Sequence, residues 1–356
     1  RRQRQMCIRD RNYDMFCYQC EQTAGGKGCT KLGVCGKTPE VAGLQDLLIF
    51  QIKGISCYAK VLLDKGEHIS KDIVKFIENS LFTTLTNVNF DPEAHVKLLK
   101  ESQKIKEEPR THVRKPAIDT AHASYALPDT KTEMLKDAPI AGIMYDADLD
   151  PDIRSLRQTI VYGLKGISAY GHQARELGYY SDSVDDFYVE ALCSTTDDNM
   201  GVEELIRLTM RTGEMAIEIM KKLDEANTSV YSDPTPHEVN VHIKKGPFII
   251  VSGHDLKDLE MLLEQTSGKG INIYTHGEML PCHGYPGLKK YAHLAGNFGG
   301  AWQDQQKQFD NLPGCILMTT NCLMKPRESY KDRIYSTNVV GWDGVKPVSY
   351  THLTLP

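Results

Sequence analysis

Four cysteines lie close together near the start of the chain. They are Cys17, Cys20, Cys29 and Cys35, spaced C-x2-C-x8-C-x5-C, in a chain of 356 residues with ten cysteines. Glycines fill the gaps, and glycine reaches backbone angles that other residues avoid, so a compact loop here can turn several sulfurs toward one point. Converging thiolates are the ligands that a soft metal centre needs. The pattern therefore predicts a metal or iron–sulfur protein that is redox-active.

Two other uses of these cysteines compete with that interpretation. Disulfide scaffolds are short, secreted and rich in cysteine, whereas this chain is long and has few cysteines for its length. A structural zinc ion also binds four thiolates, but zinc ribbons usually contain two C-x2-C pairs set apart. Here the later cysteines stand singly in a glycine-rich loop, which favours an iron–sulfur cube because the cube is bulkier than one zinc ion. Zinc remains the alternative.

The composition is that of an ordinary globular chain, long enough for two or three domains. The net charge of −5 is small for this length, so it gives no reason to expect nucleic acid or an anionic membrane as a partner. No apolar run approaches the roughly twenty residues that span a bilayer. The arginine-rich N-terminus also lacks the apolar segment of a signal peptide. We therefore expect a cytoplasmic protein whose thiols stay reduced and available for metal.

Both ends of the chain look unlike the rest of it. Residues 1–14 show no periodicity, Met15 is a natural start, and residues 348–356 break an otherwise orderly pattern. We interpret both ends as foreign tails and leave them, together with Cys7, out of the fold prediction. On this interpretation the chain is cut short at about Pro347.

Residues 15–235 are expected to form an iron–sulfur loop followed by an all-helical domain, because apolar residues recur there with a period near 3.6. Lys53–Tyr58 matches Lys165–Tyr170, and Thr83–Asn87 matches Thr195–Asn199, both at an offset of 112 residues. Two matches at one offset predict duplicated helical units. Two explanations stay open for the repeated residues: the units clasp something between them, or these are packing positions.

Residues 236–347 are expected to form a Rossmann-like parallel α/β domain. Short apolar runs predict strands within 246–253, 271–274 and 314–319, a further strand is expected at Val339–Gly341, and an amphipathic helix is expected at 255–266. The alternation of strand and helix implies a parallel sheet. Ligands of such sheets bind just beyond the carboxyl ends of the strands.

Three residues that can bind a metal follow the first three predicted strands. His254 follows the first strand, Glu278 the second and Cys322 the third. Since these strand ends lie along one edge of a parallel sheet, we expect the three side chains to meet in one crevice. Imidazole, carboxylate and thiolate make a mixed site suited to iron that binds an oxygen- or nitrogen-containing substrate. Each residue taken alone has an ordinary explanation, such as a hydrogen-bonded loop histidine or a buried cysteine that packs as a small hydrophobic residue.

Several short segments together form a highly specific pattern. They are Met15–Ala24, Gly28–Thr30, Gly33–Lys37, Gly253–Asp255, His276–Pro281, Gly299–Gln303 and Thr319–Cys322. From Met15 to about Lys346 the chain resembles the hybrid cluster proteins, also called prismane proteins or hydroxylamine reductases. The gap of eight residues between the second and third cysteines resembles the anaerobe-type members, whose first cluster is 4Fe-4S.

The resemblance implies two cofactors. It implies that the N-terminal 4Fe-4S cluster is held by Cys17, Cys20, Cys29 and Cys35. It further implies that a hybrid 4Fe-2S-2O cluster, the catalytic centre, has as ligands His254, Glu278 and Cys322. The family's remaining ligands are further cysteines and another glutamate, which would lie downstream of this chain. The chain is therefore expected to hold an incomplete ligand set for the hybrid cluster.

The resemblance also implies a fold and an activity. The expected fold is an N-terminal all-helical domain of two duplicated three-helix bundles followed by Rossmann-like α/β domains, the second of which would be missing here. The expected reaction is reduction of hydroxylamine to ammonia and water, with electrons from a donor redox protein relayed through the N-terminal cluster, in a monomer that acts under nitrosative stress. Nitric oxide reduction, a nitrosyl-binding or electron-transfer protein, and a zinc-stabilised binding module are the alternatives.

Overall fold

The computed structural model describes residues 15–145 and 148–348. Cys7 and the tails expected at 1–14 and 348–356 lie outside the described residues, apart from Val348. The chain divides into two compact units. The helical unit comprises 1–84, 90–169 and 180–220, and the sheet unit comprises 85–89, 170–179 and 221–356. The expected fold class, a multidomain chain with an α part and an α/β part, is confirmed, whereas the domain boundary expected at 235 stays a prediction.

The helices follow one another from residue 39 onward. They are α1 (Pro39–Asp64), α2 (Lys71–Thr83), α3 (Pro92–His112), α4 (Ala121–Ser124), α5 (Lys131–Asp137), α6 (Pro151–Glu176), α7 (Asp182–Ser194), α8 (Val202–Tyr231), α9 (Leu256–Thr266), α10 (Pro286–Lys289) and α11 (Gln305–Gln308). Short 3-10 helices occur at Ala24–Gly26, Ala138–Ala141, Gly277–Gly284, Trp302–Asp304 and Lys331–Arg333. Over the described ranges, none of these helices combines the length and the apolar character needed to cross a membrane.

Helix α1 lies at the centre of the helical unit. It begins after Thr38, whose side-chain oxygen accepts a hydrogen bond from the backbone N–H of Val41 at 3.3 Å, and Pro39 fits the first turn because its N–H would have no helical partner there. Most of its side chains are buried. Its leucines and isoleucines pack with apolar residues of α2, α3, α6, α7 and α8 in one hydrophobic core.

The helical unit contains the duplication that the sequence predicts. Helices α1 and α6 both have 26 residues and begin 112 residues apart, and α2 and α7 both have 13 residues. Helix α3 has its counterpart in the first part of α8. Each half is therefore a sequence of three helices, and the repeated segments Lys53–Tyr58 and Lys165–Tyr170 occupy equivalent places in α1 and α6.

The sheet unit is built on parallel strands. They are β1 (Phe248–Ser252), β2 (Asn272–His276), β3 (Leu294–Asn297), β4 (Cys315–Met318), β5 (Ile334–Ser336) and β6 (Lys346–Pro347). Their order in the sheet is β3-β2-β1-β4-β5-β6, and every neighbouring pair is parallel. This is the doubly wound order of Rossmann-like sheets, and it reverses direction between β1 and β4. Ligands bind at that reversal, beyond the carboxyl ends of the strands.

Two parts of the strand prediction were wrong. The fourth strand of the sequence order is not Val339–Gly341, which forms a turn with an isolated bridge between Gly341 and Asn89. A strand was also overlooked at Leu294–Asn297, where Gly296 and Asn297 look like part of a glycine-rich loop. Gly296 has φ +155°, and a Cβ there would lie 2.0 Å from the carbonyl oxygen of Asn240. The glycine is therefore needed because the Asn240 backbone packs directly against this strand.

Candidate metal centres

The cysteine loop of the helical unit is organised by backbone hydrogen bonds. Cys17 and Cys29 form an antiparallel bridge, with N–H to O distances of 3.0 Å and 2.8 Å. Gly28, at φ +141°, precedes the second of these residues, and a Cβ there would lie 2.6 Å from the ring of Phe16. The glycine is therefore required both by the backbone angle and by the ring packed against it. The bridge holds two of the four predicted ligands side by side.

Polar hydrogens surround the sulfur of Cys29. The backbone N–H of Ala24 donates to Cys29 Sγ at 3.4 Å, and the hydroxyl of Thr23 lies 3.7 Å from the same sulfur. Burial acts to raise the pKa of the Cys29 thiol, but these hydrogen bonds, one from the backbone of Val34 and the charge of Lys37 outweigh it and lower the pKa. A depressed pKa favours the thiolate, which is the form that binds metal.

The charges of the four thiols act on one another. Burial raises the pKa of Cys20, and the charges of Cys17, Cys35 and Cys29 raise it further. This mutual influence is what four ligands carried on one short loop would show.

The second group of candidate ligands lies at the carboxyl edge of the sheet unit. Ser252, His276 and Met318, at the ends of β1, β2 and β4, are aligned in register. His254 and Glu278 each follow two residues after their strand, and Cys322 follows four residues after β4. The group therefore sits at the point where the strand order reverses, which is the usual ligand site of such a sheet.

The structure brings His254, Glu278 and Cys322 into direct contact. His254 Nε2 lies 2.7 Å from Glu278 Oε2, and Cys322 Sγ donates to the same oxygen at 3.3 Å. One atom from each of the three lies within 4.8 Å of the others. Cys322 is buried, whereas 61% of the Glu278 side chain is exposed, so the group is open to solvent on the glutamate side. The juxtaposition predicted from the strand ends is present; the role of these residues as iron ligands stays a prediction.

The charges of this group depend on one another. Burial acts to raise the pKa of Glu278, but the hydrogen bonds from Cys322 and His254 outweigh it and hold the pKa below its ordinary value. Burial, followed by the negative charge of Glu278, raises the pKa of the Cys322 thiol well above its ordinary range. In the absence of metal, Glu278 is thus a carboxylate and Cys322 a thiol whose proton links the two.

Residues that sequence analysis did not single out position these ligands. Thr320 Oγ1 lies 2.9 Å from His254 Nδ1, so its hydroxyl can fix which ring nitrogen carries the proton. Gly253 lies at φ +118°, and a Cβ there would meet Thr319 Oγ1 at 2.4 Å and the backbone nitrogen of Thr320 at 2.8 Å. The glycine therefore lets the β1 loop approach the β4 loop. Thr320 and Gly253 both lie in segments that carry the family resemblance, and that membership is the sequence signal that could have identified them.

The backbone around Cys322 is held by a buried glutamine. Cys322 adopts φ +73°, which is strained for a residue with a side chain. Gln305, which is fully buried, donates from Nε2 to the Cys322 carbonyl at 2.8 Å and accepts from the backbone N–H of Met324 at 3.0 Å. The two bonds fix the strained turn from both sides, so the sulfur has a defined direction before any metal arrives.

Three further residues near Glu278 take structural places. His276 contacts Ser252 Oγ at 3.0 Å and Gln308 Oε1 at 2.8 Å. His283 contacts the hydroxyl of Thr275 at 2.9 Å, and Cys282 is buried in the apolar core of the sheet unit. These partners account for both ring nitrogens of His276 and for Nε2 of His283. They support β2 and the segment after it, which carries Glu278.

Known proteins match this chain along nearly its whole length. The family model described as the Prismane/CO dehydrogenase family matches residues 15–354. The chain is 48% identical over 339 residues to the hydroxylamine reductase of Syntrophobacter fumaroxidans, an alignment that covers 94% of this chain and 62% of that protein. It is 44% identical to the hydroxylamine reductase of Desulfitobacterium hafniense strain DCB-2, covering 94% and 61%. The chain therefore spans about three fifths of the length of these curated relatives.

A solved structure also aligns with the chain. The as-isolated, nickel-free carbon monoxide dehydrogenase of Thermococcus sp. AM4 aligns with 98% of this chain and 53% of its own length, at 12% identity and a TM-score of 0.36.

Proposed function

The chain belongs to the Prismane/CO dehydrogenase family, and from that premise we propose that it forms part of an enzyme that reduces hydroxylamine to ammonia and water. The observation that carries the proposal is the contact of imidazole, carboxylate and thiolate at the reversal point of the sheet. A mixed ligand set of this kind suits iron that must leave a position open for an oxygen- or nitrogen-containing molecule. The curated relatives named hydroxylamine reductase supply the substrate.

Two iron–sulfur groups are part of the proposal. A 4Fe-4S cluster would be held by the four cysteines of the N-terminal loop, where glycines and backbone N–H groups suit thiolate ligands. A hybrid 4Fe-2S-2O cluster would take His254, Glu278 and Cys322 among its ligands. When bound, the two groups would supply electrons and an open iron that polarises the N–O bond. The donor of those electrons would be a separate redox protein.

The residues of the chain have their own tasks in this reaction. Hydroxylamine takes up two electrons and two protons and gives one ammonia and one water. Glu278, largely exposed at the rim, would offer iron an ionised carboxylate, because hydrogen bonds from Cys322 and His254 hold its pKa below the ordinary value. Thr320 Oγ1 would accept a hydrogen bond from the Nδ1–H of His254, which leaves the Nε2 lone pair available to a metal. Gln305 holds Cys322 in the strained turn that aims its sulfur at the same point.

Iron content tests the proposed N-terminal cluster. After anaerobic reconstitution with iron and sulfide, the chain should become brown, and Cys20→Ala should lose the iron bound by the loop. Cys315→Ala is the matched control, because Cys315 is a half-buried cysteine in β4 that belongs to neither candidate centre. Equal iron content in Cys20→Ala and Cys315→Ala would contradict the assignment. A colourless chain that retains zinc would favour the zinc-stabilised module.

Ammonia production tests the reaction. In the whole protein, with reduced methyl viologen as electron donor, Cys322→Ala should abolish ammonia formation from hydroxylamine, whereas Cys315→Ala should retain it. Ammonia formation that persists in Cys322→Ala would show that the predicted centre is not where the reaction occurs. Nitric oxide supplied in place of hydroxylamine distinguishes the two nitrogen-oxide substrates, since the proposal expects faster turnover with hydroxylamine.

A further inference from the structure

A small polar cavity lies inside the helical unit, between the two duplicated halves. Its volume is about 50 Å³. Its wall includes Lys53 from α1 and Lys165 from α6, which occupy equivalent positions in the repeat. Both halves therefore present their equivalent lysine to the same cavity. The other explanation, that the halves clasp something between them, fits this arrangement.

Lys53 is a buried cation without a partner. Its side chain is 8% exposed, and over residues 15–145 and 148–348 it takes part in no hydrogen bond or ion pair. Burial lowers the pKa of Lys53 to about 8, and the positive charge of Arg157 contributes to the lowering. Buried charges in folded proteins are normally paired. The charge of Asp46 acts on Lys53 from the same cavity wall, but no hydrogen bond or ion pair joins them, so the Lys53 ammonium group is free to contact a bound anion.

The other two lysines of the cavity wall have defined partners. Lys165 Nζ donates to Gln19 Oε1 at 3.1 Å and to the Thr84 carbonyl at 3.2 Å. Lys37 lies two residues from Cys35, and its charge acts on the thiols of the cysteine loop. Lys37 and Lys165, on which the charge of Cys17 acts, thus provide counter-charge for the proposed N-terminal cluster, while the charges that act on Lys53 are those of Arg157, Cys57 and Asp46.

The cavity wall carries more positive than negative charge. Lys37, Lys53 and Lys165 share the wall with one carboxylate, that of Asp46, and one thiol, that of Cys17. Burial lowers the pKa of Lys165 to about 7, so Lys37 and Lys53 carry most of the positive charge near neutral pH. His122 also lines the cavity, and burial, followed by the charge of Lys53, holds its pKa well below the ordinary value, so the imidazole is neutral. Burial likewise raises the pKa of Tyr162 beyond the range in which it ionises, so Tyr162 contributes no negative charge. The surplus of positive charge favours one small anion.

From this geometry we propose that the cavity between Lys53 and Lys165 binds a small monovalent inorganic anion, such as a halide or a planar oxyanion no larger than nitrate. A water molecule needs about 10–15 Å³ of such volume, so the cavity has room for about three or four waters or for one small anion. Gln158 also lines the cavity, and it has no hydrogen-bond partner among the described residues, so its amide can donate to the same ligand. A tetrahedral dianion such as sulfate would need more room and more positive charge.

Chloride-35 NMR with nitrate as competitor tests the proposal on the reconstituted chain. The line width of chloride should increase in the presence of the wild-type chain, and added nitrate should reverse the increase, while sulfate at equal ionic strength should not. Lys53→Met keeps the length of the side chain and removes the charge. Because a hydrogen bond to a charged group is worth about 1.5–3 kcal/mol, this variant should bind the anion about tenfold or more weakly.

Lys60→Met is the matched control, since Lys60 lies in the same helix but forms an ion pair with Asp64 at the surface. It should bind the anion as the wild type does. A crystal soaked in bromide provides a readout without substitution, because the anomalous signal should appear beside Lys53 Nζ. Absence of competition by nitrate, equal binding in Lys53→Met and Lys60→Met, or a bromide-free cavity would each overturn the proposal and leave the cavity filled with water only.

Discussion

The two glycines at equivalent positions of the helix repeat should respond to alanine in opposite directions. At Gly54 in α1, an added Cβ would lie 2.1 Å from the carbonyl oxygen of His122 and 3.1 Å from Lys106 Nζ. At Gly166 in α6, nothing among the described atoms lies within 4 Å of an added Cβ. Gly54 therefore lies where α1 packs tightly against the His122 backbone, whereas Gly166 has no such close neighbour among the described atoms.

The magnitudes follow from what each methyl group would meet. Gly166→Ala should stabilise the helical unit by about 0.5–1 kcal/mol, because glycine inside a helix costs about that much relative to alanine. Gly54→Ala gains the same helix propensity, but overpacking costs about 1–3 kcal/mol. Moving His122 also breaks the 3.0 Å hydrogen bond from the buried Lys106, worth about 1.5–3 kcal/mol. The net destabilisation by Gly54→Ala should be about 1.5–5.5 kcal/mol.

Chemical denaturation can follow the two units separately. Far-UV circular dichroism reports mainly the helical unit, which contains most of the long helices. Both tryptophans, Trp302 and Trp342, belong to the sheet unit, so their fluorescence reports that unit. Gly54→Ala should lower the midpoint of the circular dichroism transition, and Gly166→Ala should raise it. Equal shifts in the two variants, or a stable Gly54→Ala chain, would refute the packing described for α1.

Three further outcomes are expected. Burial lowers the pKa of Lys53 to about 8, so below that pH the folded wild type carries the cost of a buried charge. As the pH rises from about 8 to 10.5, Lys53 loses its proton in the folded state but keeps it in the unfolded state. The unfolding free energy of the wild type, measured by circular dichroism, should therefore rise by up to about 3 kcal/mol relative to that of Lys53→Met. Thr320→Val should lower the affinity of His254 and its partners for cobalt about 10–100-fold, measured by the sulfur-to-cobalt absorption band, without unfolding the sheet unit. Gly253→Ala should weaken the same cobalt site, since its Cβ would push the Thr320 backbone away, and an unchanged absorption band would contradict this.

Local sequence signals predicted most of the architecture. Helices α1 and α6 were predicted because their apolar residues recur at helical spacing, and their equal lengths follow from the duplicated segments. Strands β1, β2 and β4 were predicted because each is a short apolar run bounded by turn residues. These signals lie within a few residues of the element they specify.

The features that were overlooked depend on contacts between distant parts of the chain. Gln305 stabilises the turn of Cys322 across 17 residues of sequence, and Thr320 contacts His254 across 66. Neither residue type has a local signature for such a role. Gly296 looks like a loop glycine until the Asn240 carbonyl packs against it. The same limit applies to the repeated lysines, because periodicity places Lys53 on a helix but does not say that its neighbours leave it unpaired.

The two candidate sites treat buried charge in different ways. At the sheet edge, the proton of Cys322 sits between sulfur and the Glu278 carboxylate, so the metal-free group is already satisfied. A metal that enters must displace that proton, and the high pKa of Cys322 makes the displacement costly unless the metal–thiolate bond is strong. In the cavity of the helical unit, no described group occupies the corresponding place beside Lys53. The first site therefore offers an entering metal a group whose charge is already satisfied, whereas the proposed anion would meet a lysine that has no direct partner among the described residues.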